Sequence, residues 1–293
     1  MIQERLFPDY ARIRRIPQRL DVINLGSNPA KYGIDYEGCD VKGYNLAVGP
    51  QTIEYDFKVL KNYHSYFNDK GPKLLLLLFC PFSLCKNRYT ERDGEICHDL
   101  RYYLILHHAM INDYDESIYR QLKYCPERYL LSSFSRIRSF VAGSLSKRYR
   151  ESKNRYTEDE MNLSARNYLE LWRREFELKS FEVEELPSDV KKAIEKNAMI
   201  LDEIIAFVAE RSIRPVIVLP PISPNLSSLI PQQFKDFCFY SVLRETGIPI
   251  LDFTDDREFA KHENFVDALC LNASGRKKFT KHLIETLKNK KIL

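Results

Sequence analysis

Apolar positions along the chain follow two rhythms. Short, mainly apolar runs at Val22 to Leu25, Leu74 to Phe79, Pro215 to Leu219 and Ile250 to Phe253 are bounded by charged or turn-forming residues. Each is too short for a helix and reads as a strand buried on both faces, as in a parallel sheet with helices above and below. Gly43 to Val48 predicts one more strand, closed by Gly49-Pro50. Between the runs, apolar residues recur at helical spacing. Ile53, Phe57, Leu60, His64 and Phe67 form one stripe, stopped by Gly71-Pro72. Val190, Ile194, Leu201, Ile204, Ile205 and Val208 form a second. Phe234, Phe237, Val242 and Leu243 mark a helix that Gly247-Ile248-Pro249 ends, and Phe279, Leu283 and Leu287 mark the closing one. Strands alternating with helices predict an α/β fold with a doubly wound parallel sheet in three layers, as in flavodoxin-like proteins.

The middle of the chain breaks this rhythm. From Ser83 to about Pro187 no strand pattern occurs, while Leu130, Phe134, Ile137, Val141 and Leu145 line one helical face and Met161, Ala165, Tyr168, Trp172 and Phe176 another. The expected organisation is a first α/β part over 1–85, a helical insertion over 86–186, and the second α/β part over 187–293.

Composition changes this picture little. A 293-residue chain with 44% apolar and 29% charged residues is ordinary for a soluble globular protein, and a net charge of +4 names no partner. Seven cysteines without metal-ligand spacing predict buried reduced thiols. Residues 1–20 hold five arginines and no apolar core, and the longest apolar run, Leu74 to Phe82, is short of a membrane span, so a cytoplasmic protein without a transmembrane segment is expected. No glycine-rich phosphate loop occurs, His98, His107 and His108 lack the i, i+4 spacing of a helix-borne metal site, and neither cofactor nor metal is expected. The stretch Arg136 to Arg155 interleaves basic and aromatic residues. It could bind an acidic polymer or a membrane surface, but a solvated helix face plus loop is the simpler reading; no motif supports nucleic acid.

Candidate chemistry lies near both ends. Asp21-Val22-Ile23-Asn24-Leu25-Gly26-Ser27 carries a serine off the carboxyl end of a strand into a tight turn. Gly43-Tyr44-Asn45-Leu46-Ala47-Val48-Gly49-Pro50 follows, and Asp267-Ala268-Leu269-Cys270-Leu271-Asn272-Ala273-Ser274-Gly275 precedes the last helix. In order and position these segments resemble the blocks of the SGNH (GDSL-like) hydrolases. The resemblance spans about residues 20–85 and 190–290. It implies Ser27 as nucleophile, Asp267 as the acid, Asn45 and Gly49 as oxyanion or substrate groups, and an acyl ester of a carbohydrate or other small hydroxylated compound as substrate.

The chain departs from that family where the chemistry is most demanding. Cys270 stands where the family has its histidine base. A thiol with a pKa near 8.5 is mostly protonated at neutral pH and shuttles protons poorly compared with an imidazole near 6.5. His262 is a surrogate base only if it swings in, and Cys270 itself a nucleophile only if something activates it. The oxyanion glycine aligns with Gly49 or with Pro50, which has no N–H to donate. No asparagine follows the central strand, where Cys80-Pro81-Phe82-Ser83 stands. Two functions remain open: an SGNH-like esterase or O-acyl (acetyl) hydrolase or transferase with impaired catalysis, and a catalytically inactive binding protein that uses the old cleft and the basic insertion. Ser27 itself is open between nucleophile and helix cap.

Overall fold

The computed structural model describes residues 8–86, 98–131 and 157–293. The helical face proposed from Leu130 to Leu145 and the basic stretch Arg136 to Arg155 lie largely or wholly outside the described residues. Five strands, β1 (Val22–Gly26), β2 (Gly43–Asn45), β3 (Leu74–Leu78), β4 (Arg214–Leu219) and β5 (Ile250–Asp252), form one sheet in the order β2-β1-β3-β4-β5. Every pairing is parallel. The described helices are α1 (Pro8–Ile13), α2 (Asn28–Gly33), α3 (Ile53–Tyr63), α4 (Glu116–Tyr124), α5 (Pro126–Leu131), α6 (Glu158–Glu175), α7 (Ser188–Ala209), α8 (Pro224–Ser227), α9 (Gln232–Lys235), α10 (Ser241–Glu245) and α11 (Ala273–Asn289).

The apolar runs fold as their pattern dictates. Every residue of β1 and β3 is buried, because each strand has a neighbour on both edges and helices on both faces. The second strand is shorter than its apolar run. Leu46, Ala47 and Val48 stay buried; the Leu46 N–H still donates to the Asn24 carbonyl of β1 at 2.9 Å, and beyond it the Asn45 side chain accepts the Ala47 N–H at 3.0 Å in place of a ladder partner.

Right-handed crossovers fix the layers. The β1-to-β2 connection runs one way along the sheet and all later ones run the other way, so α2 lies on one face and α3 and α7 lie on the opposite face. The pairings agree. On the first face Asp35, just after α2, is tied to α11: its N–H donates to Thr280 Oγ1 at 2.8 Å, and its carboxylate meets Arg276 at 3.3 Å. On the other face Phe57 of α3 packs edge-on against Phe207 of α7 at 5.6 Å, and Glu54 pairs with Lys196. This is the flavodoxin-like doubly wound arrangement the strand pattern predicts.

The chain forms two compact units. The sheet-bearing unit comprises 18–57, 66–87 and 154–293, and the second is built from 1–17, 58–65 and 88–153. Helix α6 therefore groups with the sheet. Its N-terminus is fixed by a capping box between Thr157 and Glu160. At its other end Trp172 and Phe176 stack on Phe82, just past β3, at 4.1 and 5.6 Å. In the second unit Asp115 caps α4, Tyr103 stacks on Tyr114 at 5.1 Å, and the Tyr63 hydroxyl donates to the Ile105 carbonyl at 2.7 Å.

Candidate functional site at the carboxyl edge of the sheet

In an open parallel sheet ligands bind beyond the carboxyl ends of the strands, where the winding direction reverses. Here that point lies between β1 and β3. Ser27 is the residue immediately after β1 and is half-buried there. Gly26 pairs with Leu78 in register and has φ of 128°, a conformation that favours glycine. A β-carbon on Gly26 would stand 2.5 Å from the Leu78 carbonyl oxygen and 2.9 Å from the Ala30 β-carbon. The glycine lets the chain turn hard against β3 and lift Ser27 to the rim.

Although Ser27 occupies the cap position of α2, its side chain makes no capping bond. Its hydroxyl oxygen instead accepts the Gln51 backbone N–H at 3.1 Å. Gln51 follows the cis Gly49-Pro50 peptide, and its side-chain amide donates to Asp56 Oδ1. The same oxygen accepts the Gly26 N–H at 2.7 Å. Asp56 sits in the first turn of α3 and is 3% exposed. Burial pushes its carboxyl up to about 7, while the two N–H donors pull the other way.

The other sequence-predicted residues take scaffold positions. Asn45 donates to the carbonyls of Ala30 and Ile34 at 3.0 Å each, and accepts from Asn24 at 2.9 Å, so it ties the end of α2 to the sheet. This is the local backbone role that sequence left open against a cleft-facing one. Gly49 lies under the Asn28 side chain, and a β-carbon there would overlap Asn28 Oδ1. After β3, Ser83 Oγ accepts the Cys80 N–H at 2.8 Å and closes the turn where the resemblance would place an asparagine. Burial pushes the Cys80 thiol up, away from thiolate character.

Asp267 and Cys270 come together in one tight loop. The loop is closed by the Phe265–Leu271 bridge and by the Val266 N–H donating to the Cys270 carbonyl at 2.9 Å. Asp267 Oδ1 accepts the backbone N–H groups of Leu269 and Cys270 at 3.0 and 2.8 Å, and Oδ2 accepts the Tyr168 hydroxyl at 3.1 Å. Both residues are buried, Asp267 at 7% and Cys270 at 2% exposure. Helix α6 holds the loop a second time through Ser164 Oγ, which accepts the Ala268 N–H at 3.0 Å. The Ala268 carbonyl accepts the Ser223 N–H at 3.0 Å, which places the loop beyond β4. β1 and β4 flank β3, so their ends stand about 10 Å apart at the usual strand spacing. Among the described residues no hydrogen bond joins Ser27 to Asp267.

His262 does not serve as a surrogate base in this arrangement. Its Nδ1 faces Glu158 at 3.2 Å and its Nε2 faces Asn225 Oδ1 at 3.0 Å. His282 is held between Phe253 and Phe259 beside Glu258. Asn272 caps α11 by accepting the Gly275 N–H at 2.9 Å, and Gly275 lies against the Asn264 backbone, where no side chain fits.

The chain is similar to two solved structures. One is a Streptococcus pneumonia protein provisionally described as a platelet activating factor; it is 12% identical, with a TM-score of 0.45 over 97% of this chain and 92% of that one. The other is a provisionally assigned acylhydrolase from Bacteroides fragilis, 9% identical, with a TM-score of 0.39 over 97% and 95%. No family model and no curated protein matches the chain. Values this low transfer no activity, and the chemistry of the rim stands on its own geometry.

Gln51, Asp56 and Tyr168 were not singled out as site residues by their sequence pattern. Only Asp56 left a trace, as an acid on the apolar stripe between Ile53 and Leu60. Among the described residues no group of three His, Cys, Asp or Glu side chains is arranged to hold a metal ion, and no helix is long and apolar enough to cross a membrane.

Proposed function

We propose that the protein is a divergent SGNH-like α/β protein that reacts with or binds acyl esters of carbohydrate or other small hydroxylated compounds through Ser27, with hydrolysis held back by the missing imidazole. The observation that carries this reading is the Gln51 N–H aimed at Ser27 Oγ from 3.1 Å, at the reversal point of the sheet. An N–H in that position stabilises negative charge on Oγ and favours attack on a carbonyl. Deprotonation then falls to water. Loss of a triad base lowers kcat by on the order of 10⁶ in the best-studied case. Esters with good leaving groups suffer least, because an aryloxide departs without a proton from a general acid.

The second reading is a catalytically silent binding protein. It is favoured by the Asp267 carboxylate, whose hydrogen bonds go to its own loop and to Tyr168. Hydrolysis of 4-nitrophenyl acetate separates the two. The esterase reading expects wild-type protein to exceed Ser27→Ala; equal rates would remove it and leave the binding reading.

A further inference from the structure

The apolar stripe of α3 contains one residue that does not belong to a core. Ile53, Phe57 and Leu60 are buried, and Asp56 lies among them at 3% exposure. A carboxyl in such a place is costly unless donors hold it. Here both donors belong to the serine turn: the Gly26 N–H at 2.7 Å and the Gln51 side-chain amide meet on one oxygen. We infer that Asp56 is a positioning residue for Ser27, which it sets from two sides, through the Gly26 amide beneath the serine and through Gln51, whose backbone N–H reaches the serine hydroxyl.

The inference deepens the reading of Ser27 as the reacting group and rests on it. Gly26 fixes where the chain leaves β1, and Gln51 fixes where the donor to Oγ stands. Burial lifts the Asp56 carboxyl more than its two N–H donors lower it, so the closed turn favours the protonated acid and loosens as Asp56 ionises. The acid titrates in an accessible range, since burial alone lifts it and no neighbouring charge contributes. Glu54 of α3 and Lys196 of α7 pair with each other at 3.4 Å.

Two measurements on the full chain test this, one of them independent of any reaction. Amide hydrogen exchange at Gly26 and Gln51, corrected for intrinsic rates, should show protection that falls roughly tenfold as pH rises from about 4 to about 7 in wild type and stays flat in Asp56→Asn. The rate at which a fluorophosphonate labels Ser27 should show a step through the same pH range in wild type, and the step should vanish in Asp56→Asn while the fold is retained. Protection at both amides that neither follows pH nor changes in Asp56→Asn would overturn the inference, as would an unchanged labelling step in the variant. Absence of labelling in wild type at every pH would instead sink the assignment of Ser27, with the exchange data still deciding the role of Asp56 in shaping the turn.

Discussion

At the end of β1 the polar groups of Asp56 and Gln51 converge on the serine turn, whereas in the loop beyond β4 those of Asp267, Cys270 and Asn272 close on their own backbone. Both segments carry residues on which the SGNH resemblance rests, yet only the first directs a donor at its serine hydroxyl. The contrast shows that a spacing read as catalytic in sequence can serve a loop's own backbone instead. An aspartate that organises a loop through two backbone N–H groups is worth keeping in any fold, with or without a histidine three residues on.

The contrast can be broken most sharply at Asp56. Its native pKa is raised from 3.8 to about 7, so the folded protein keeps a proton that the unfolded chain has released. Unfolding then releases a proton, and stability falls as pH rises from about 4 to about 7, levelling off above. Asp56→Asn removes this slope. Denaturant unfolding should find the variant gaining on wild type by about 4 kcal/mol across that window. A constant difference would mean that the carboxyl is ionised and solvated in the native state.

Gly26→Ala comes next. The new methyl would be forced against the Leu78 carbonyl in a backbone conformation that alanine disfavours, so a loss of about 3 kcal/mol is expected in urea unfolding. A neutral result would show that the turn is looser than the glycine implies. On the other side of the comparison, Cys270→His places an imidazole in a site only 2% exposed. It should cost about 2 kcal/mol by overpacking and restore no esterase activity. Rescue of turnover would show that the loop can still serve as an acid–base arm. The smallest effect belongs to Tyr168→Phe, which removes the hydroxyl bonded to Asp267. Thermal unfolding should report a loss of about 1 kcal/mol with labelling of Ser27 unchanged. A slower labelling rate would couple the two segments after all.

Much of this fold was written in local pattern. Leu74 to Leu78 is a continuous apolar run that suits a strand covered on both faces, Val22 to Leu25 is apolar but for Asn24, and α7 and α11 follow the helical spacing of their apolar residues. The end of β2 was overestimated because Leu46 to Val48 are apolar, while the decisive interaction is the Asn45 side chain accepting the Ala47 N–H in place of a ladder partner. Ser27 was legible because Gly-Ser at a strand end is a local signal. Its partners were not, because Gln51 and Asp56 meet it only once the strand-to-helix loop folds back over β1. Tyr168 was further out of reach, joined to Asp267 from 99 residues away by the way α6 lies along the loop. Pairings of that kind depend on tertiary packing and leave no period in the chain.

The most direct measurement is the mass of the intact protein after incubation with a fluorophosphonate at mildly alkaline pH, followed by peptide mapping. A single adduct on Ser27, absent from Ser27→Ala, is the predicted result. No adduct, or one that maps to another residue, would contradict the placement of the reactive centre at the end of β1.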